Sequence, residues 1–282
     1  MPGAMTSGRR GFAVLVVVVG AVLAAAGWGC GGSPEPGTST PPTTPSPTPT
    51  TPTPAPAPLK RLLVVTHTAG FRHSSIAIAE TTIRDIGVRN SLFETEFCRS
   101  ESDVKSRLTT EGLRGFDGVF FANTTGNLGI PDVPAFLDWV RAGHGFLGAH
   151  SASDTYHDSI DFLTMLGGEF NTHGAIVPGD IRVDDASDQS VAHLAPRFTI
   201  TDELYRFDRN SRANVHALLS MDRVPNDGVG TAGAPADLLM AWRRDYGGGR
   251  VFYTAFGHRE EVWQDSRFQQ HLLGALRWAL GS

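Results

Sequence analysis

From residue 62 to residue 150, short apolar runs alternate with amphipathic segments, and this rhythm constrains the fold more than any other feature of the 282-residue chain. Residues 62–66 (Leu-Leu-Val-Val-Thr) read as a buried strand. Residues 74–90, apolar at Ile76, Ala77, Ala79, Ile83 and Ile86, suit a helix. Residues 93–98 alternate as a strand does, 104–113 suit a second helix, and 116–121 form a further buried strand. Residues 131–142 open on proline and carry Val133, Phe136, Leu137 and Val140, which predicts a third helix, and 145–150 form the next strand.

Strands that alternate with helices across short connections require an open parallel sheet covered on both faces. Residues 175–184, 198–207 and 215–221 interrupt the rhythm as strand-rich excursions. It returns with strands at 238–243 and 250–254 and a last helix at 268–280. The expected fold is α/β, a flavodoxin-like three-layer α/β/α sandwich with a β-rich insertion. In such sheets ligands bind beyond the carboxyl ends of the strands.

Not all of the chain can join that sandwich. Residues 1–30 read as a secretory signal, with Arg9 and Arg10 ahead of an apolar run from Phe12 to Ala26. That run falls short of the ~20 residues a spanning helix needs, so cleavage is expected rather than permanent insertion. The Gly29-Cys30 junction is a lipoprotein-type cleavage site with Cys30 as the lipidated residue, although Trp28 stands where a small residue is usual. Arg9-Arg10-Gly11-Phe12 also resembles a twin-arginine export signal. Residues 31–58 are almost wholly Pro, Thr and Ala after the first few, and cannot bury enough surface to offset their ordering entropy. They form an extended spacer between Cys30 and a single domain at 59–282. The expected location is the bacterial cell envelope, with the N-terminal lipid in the membrane and the domain on the periplasmic or extracellular face.

Cys98, the only other cysteine, lies in an apolar and acidic string and reads as a small buried hydrophobe. A net charge of −5 with no basic cluster argues against nucleic-acid binding. No motif speaks to self-association.

The chemistry-bearing residues fall mostly after expected strands. His67, Arg72 and His73 follow the first, with Gly70 permitting a turn and Ser74 suited to cap the next helix. A capped, solvent-facing turn is the plainer account; a ligand loop is the functional one, with Arg72 suited to an anionic or polyhydroxyl partner. A later strand ends in Gly148-Ala149-His150-Ser151, followed by Asp154 and Tyr156, where related α/β folds place a nucleophile on a strained elbow. The G-x-S-x-G pattern is missing around Ser151, so His150 is the better candidate, as base or metal ligand; a buried histidine bonded to backbone is the alternative. His173 follows Gly167-Gly168. Asp202-Glu203 could cap a turn, or Glu203 could enter a site as base or ligand. His216, among apolar neighbours, reads as a core histidine. The last strand ends in Gly257-His258, with Trp263 nearby. There is no His-Glu-x-x-His and no close histidine pair on one helix. The signal is positional: ten histidines in the chain, several at one sheet edge, predict a histidine-lined pocket.

These segments together resemble the ThuA-like, trehalose-utilisation family. The resemblance rests on Gly70-Phe71-Arg72-His73, the run from Gly145 to Ala152 with Asp154 and Tyr156, Gly167-Gly168-x-Phe170 with His173, Asp202-Glu203-x-Tyr205, and Gly249 through His258. It implies a class I glutamine-amidotransferase-like fold with His150 in the place of the amidotransferase cysteine, which sets glutamine hydrolysis aside. It also implies disaccharide catabolism through 3-keto sugars. Tyr156-His157-Asp158 departs from the family, which usually has an aromatic after this tyrosine.

The expected function is an exported enzyme acting on 3-keto-glycosides or related small sugars by proton abstraction next to a carbonyl, as an isomerase, lyase or hydrolase. His150, Glu203 and His258 are the expected catalytic residues, and Arg72, Ser151, Asp154, Tyr156 and Trp263 the expected substrate contacts. His73, His150, His173 and His258 are candidate ligands of a divalent metal, zinc or similar. The rivals are a non-catalytic carbohydrate-binding lipoprotein and a serine hydrolase using Ser151.

Overall fold

The computed structural model describes residues 37, 58–225, 230 and 236–282. The expectations for the leader, for Cys30 and for nearly all of the Pro/Thr-rich spacer lie outside the described residues. The first half of the domain runs β1 (Lys60–Val65), α1 (Ile76–Arg89), β2 (Phe93–Cys98), α2 (Glu101–Arg107), β3 (Gly118–Ala122), α3 (Val133–Arg141) and β4 (Gly145–Ala149). The second half runs α4 (Ile160–Leu166), β5 (Glu169–His173), β6 (Val177–Val183), β7 (Arg197–Asp202), β8 (Tyr205–Asp208), β9 (His216–Met221), β10 (Leu238–Tyr246), β11 (Gly249–Thr254), α5 (Glu260–Gln264) and α6 (Ser266–Leu280).

Nine strands form one sheet in the order β2-β1-β3-β4-β11-β10-β9-β6-β7. The first five are mutually parallel, and the last four continue the sheet antiparallel. Most of the β-rich region is therefore an extension of the sheet, and among the described residues only β5 and β8 pair apart from it. The change of direction comes at the β10–β11 hairpin, where Gly247 at φ +62° allows the tight reversal. Helices α1, α5 and α6 pack together, as do α3 and α4, which gives the three layers expected of α/β alternation. Strands β3 and β4, inside the parallel half, are buried on both faces and are wholly apolar or glycine. Phe121, Phe136, Phe146 and Phe162 lock β3 and β4 to the α3/α4 layer, with ring centroids 5.1–6.2 Å apart.

Element ends follow local chemistry more than periodicity. The helix expected at 104–113 is α2, which starts earlier because Ser100 and Asp103 form a reciprocal capping box, and ends at Arg107. The α1 helix begins one residue after Ser75 rather than on a Ser74 cap, and Ser75 makes no capping bond; its hydroxyl is used elsewhere. Residues 198–207 are not one strand. The chain breaks between β7 and β8, placing Asp202 and Glu203 at the junction. His216 is not in the core: it opens β9 exposed, with Nε2 2.8 Å from Asp185. Cys98 is buried, and burial pushes its thiol up to about 12, as suits a neutral apolar filler. Among the described residues no helix is long and apolar enough to cross a membrane.

Candidate active site

Strands β1, β4 and β11 are parallel, so the loops after them open on one edge of the sheet. Those loops carry His73, His150 and His258, and the β7–β8 junction brings Glu203 and Tyr205 over the same edge. His150 directly follows β4 and has φ +50°, a backbone state that a non-glycine residue holds only where its surroundings over-determine it. The surroundings are visible. Its Nδ1 faces the Ala255 carbonyl at 3.0 Å, and its own carbonyl accepts from the Tyr253 hydroxyl at 2.6 Å. A carbonyl only accepts, so Nδ1 carries the proton and the Nε2 lone pair points into the site.

Around that nitrogen four polar atoms converge. The Tyr205 hydroxyl donates to it across 2.9 Å, and His73 Nε2 lies at 3.2 Å, His258 Nδ1 at 3.3 Å and Glu203 Oε2 at 3.5 Å. Glu203 Oε2 is also 3.2 Å from His258 Nδ1. Side chains of this kind fit a metal. One donor atom from each of His73, His150, Glu203 and His258 lies within 4.8 Å of the others. In a tetrahedral site with bonds of 2.0–2.1 Å, neighbouring donors are roughly 3.4 Å apart, and the four separations of 3.2, 3.3, 3.5 and 3.2 Å sit close to that edge. Three imidazoles and one carboxylate suit zinc or another first-row transition ion better than magnesium or calcium. His73 belongs to the set because its Nδ1 is turned to the Ser151 hydroxyl at 3.4 Å, which leaves Nε2 for the centre.

Electrostatics agree with the geometry. Burial, followed by the neighbouring His150 and His258, pushes the His73 imidazole down to about 3, so it stays neutral. Burial works against ionising Glu203, but its contacts to His150 and His258 outweigh it and hold the carboxyl well below the usual range. Contact with Glu203 raises His258 against the opposing effect of burial.

A second set of residues holds the first in place. The buried Asp202 carboxylate accepts the backbone N–H of Gly257 at 2.7 Å and of Arg259 at 3.1 Å, which pins the turn bearing His258. The Gly257 carbonyl in turn accepts from Ser75, Asn123 and Trp263 at 3.1, 2.8 and 2.8 Å. One peptide thus ties together the ends of β3 and β11, the start of α1, and α5.

The site opens into a cleft of about 260 Å³. His73, His173, Glu203 and His258 line it, with Asp154, Phe71, Phe170 and Tyr205. Of the residues expected from sequence, this brings together His73, His150, His173, Glu203 and His258 and adds Asp154. It does not bring in the others. Trp263 is fully buried with its N–H committed to Gly257, so it has no face for a sugar ring. Tyr156 is 2 % exposed, and its hydroxyl accepts the Ile130 N–H. Ser151 is fully buried behind His73, and Arg72 is exposed and donates to the Thr66 carbonyl away from the cleft. His67 is not in the cleft lining either. Sequence reasoning missed Phe71, 67 % exposed at the mouth and edge-on to His73 at 4.8 Å, and undervalued Tyr205. A large exposed aromatic beside a conformationally permissive glycine was the available signal for Phe71.

The family model described as ThuA, trehalose utilisation, matches residues 61–279. No curated protein matches the sequence significantly. A ThuA-like protein from Bacteroides uniformis ATCC 8492 has a similar structure, with TM-score 0.61, 22% identity, and 80% of this chain and 93% of that chain covered. A ThuA-like protein from Parabacteroides merdae ATCC 43184 aligns with TM-score 0.63 at 18% identity, covering 79% and 90%. A β-galactosidase from Bacillus circulans sp. alkalophilus shares the fold over 31% of its own length, at 12% identity and TM-score 0.51. At these identities the structural likenesses establish the fold, whereas the family match spans nearly the whole globular domain: the chain belongs to the ThuA, trehalose-utilisation family.

Proposed function

We propose that this protein is an exported enzyme that acts on 3-keto-glycosides or related sugars by removing a proton next to a carbonyl. The observation that carries the proposal is the convergence of His73, His150, His258 and Glu203 on one point at the floor of a ring-sized cleft. A divalent cation held by these four residues would act there as a Lewis acid on a substrate oxygen. The protein's own groups supply the rest. A carbonyl at C3 acidifies the C2 proton. When a base takes that proton, the C–H electron pair forms a C2–C3 double bond and the carbonyl pair moves onto the C3 oxygen. Collapse of the enediolate restores the carbonyl, either with reprotonation for isomerisation or with expulsion of the C1 oxygen substituent, which takes a proton as it leaves.

The base best placed for this step is His173. Its Nδ1 faces Glu203 Oε1 at 3.0 Å and the Gly174 carbonyl at 2.9 Å. Both are acceptors, so the proton sits on Nδ1 and Nε2 is free to accept. Glu203 then holds charge and orients His173, consistent with a carboxyl kept ionised. The buried Tyr205 hydroxyl stays neutral because burial raises it far above its ordinary value; with the His150 Nε2 lone pair given to a cation, its one O–H would be released to donate to the developing oxyanion. Phe71 and Phe170 give apolar walls to the cleft.

Location is part of the same proposal: lipid on Cys30 and the 31–58 spacer place the domain outside the cytoplasm. The test is an NMR time course with 3-keto-trehalose and with trehalose, alongside metal analysis of the purified protein. Expected are consumption of the keto sugar alone and about one transition ion per chain, with His150→Ala losing both the ion and turnover while keeping its circular-dichroism spectrum. Turnover that survives in His150→Ala would remove this centre from the mechanism. Sugar binding without turnover in the metal-loaded wild type would make the protein a carbohydrate-binding module instead.

A further inference from the structure

We infer that a hollow beside α4, separate from the histidine cleft, is a second binding site that takes an organic monoanion: a single carboxylate carried on a small apolar body. The hollow measures about 250 Å³, and Arg209, Asn214 and Arg244 line it together with Ile160 and Leu163. No residue lines both this hollow and the cleft. The cleft opens beyond the carboxyl end of β11, whereas Arg244 of β10 pairs with Val251 near the amino end of that strand.

Charge selects the ligand. The lining holds two guanidinium groups and no carboxylate. Arg209 is already compensated, its Nε 2.9 Å from Glu169 Oε2. Arg244 is not: among the described residues it makes no ion pair, and its Nη1 donates to the uncharged Thr164 carbonyl at 2.5 Å. Its Nε is shut off from solvent and has no acceptor at all. Most of the five N–H donors of this guanidinium are therefore unmatched by the protein. The plain structural duty of Arg244 is to cap α4, whose last carbonyls it serves together with Trp242 and Asn210. A helix terminus carries only about half an elementary charge, so capping leaves the hollow net positive. One uncompensated charge suits a carboxylate, and the second charge of a phosphate dianion would find no partner. The Asn214 amide, with no side-chain hydrogen bond among the described residues, is free to donate to the same group. Ile160, 52 % exposed, and Leu163 supply the apolar surface for the body that carries it.

The experiment titrates the purified full-length protein with cyclohexanecarboxylate by ligand-observed NMR, beside cyclohexanecarboxamide, acetate and inorganic phosphate. Expected is saturable binding of cyclohexanecarboxylate, with acetate roughly tenfold weaker for want of buried CH2 groups. Phosphate should also bind more weakly, and the neutral amide not measurably. Arg244→Gln removes the uncompensated charge. Ile160→Asp adds a carboxylate to the lining from the first turn of α4, where an acidic residue favours the helix. Each should weaken cyclohexanecarboxylate binding at least roughly tenfold. Thermal unfolding checks both folds, and Ile160→Asp decides alone if Arg244→Gln does not fold. No binding of cyclohexanecarboxylate to the wild type, equal binding of the amide, or tighter binding of phosphate would overturn the inference. So would a smaller loss in either folded variant, which would place the carboxylate elsewhere, as at the histidine cleft.

Discussion

Gly257 shows how much of the site depends on single residues. It sits at φ +125°, and a Cβ there would lie 3.0 Å from the Trp263 ring. The same residue gives its N–H to Asp202, its carbonyl accepts from three donors, and the next residue is His258. Gly257→Ala is therefore expected to lose about 1–3 kcal/mol, the usual cost of forcing a side chain into such a backbone state. Urea denaturation of the purified variant measures this, and an unchanged midpoint would mean the turn tolerates the strain. Tyr156 at φ +59° and His150 at φ +50° are similarly constrained. His157 has a local consequence. Burial lowers its imidazole, but Glu169 at 2.9 Å and Asp154 at 2.7 Å outweigh this and raise it, so it ties cleft-lining Asp154 to β5.

At the scale of elements, α6 carries a pH-sensitive contact. His271 is buried in its middle, with Nδ1 3.0 Å from the Ser190 carbonyl. Burial lowers its imidazole to about 4, against an unfolded value of 6.5. Between pH 6.5 and pH 4 the unfolded chain binds a proton that the folded one does not, so stability rises with pH across that window and falls as the solution is acidified. The full shift is worth about 3 kcal/mol at 1.36 kcal/mol per pH unit, lost progressively from pH 6.5 down to 4. His271→Gln should flatten this part of the profile in denaturant titrations; an identical profile would assign the acid sensitivity elsewhere. The break between β7 and β8 is the other decisive element feature. It follows Asp202, the last residue of β7, whose carboxylate accepts two N–H groups of the β11–α5 turn, and it delivers Glu203 and Tyr205 to the histidines.

For the whole molecule, the proposed location outside the cytoplasm rests on the leader sequence and on Cys30 as the proposed lipidated residue. The proposal predicts that Cys30→Ala moves the protein from the membrane fraction to the soluble envelope or medium, with the melting temperature of the 59–282 domain unchanged. Fractionation and labelling with a radioactive fatty acid check this, and an unlabelled wild-type protein would refute lipidation. A sheet with a parallel half and an antiparallel half also explains the division of labour. The parallel strands β1, β4 and β11 deliver three histidines to one edge, while the antiparallel extension supplies the carboxylate that completes the set.

The strand-helix alternation from β1 to β4 was legible because both periods are local and buried strands must be apolar on both faces. The edge at which ligands meet the sheet was legible too, since parallel strands share one carboxyl end, and the histidines His73, His150 and His258 followed from it. Asp202 and Glu203 could be named as a pair, but not divided, because nothing local distinguishes the one that caps a turn from the one that enters the site. Trp263, Tyr156 and Ser151 show the same limit: an aromatic or hydroxyl near a motif has the composition of a ligand contact whether it faces the cleft or the core. The sequence by itself determined the layers, the functional edge and the residue types that crowd it. Only the tertiary structure decided which of those side chains share one point, because that depends on packing between strands far apart in the chain, where burial and a few hydrogen bonds set each direction.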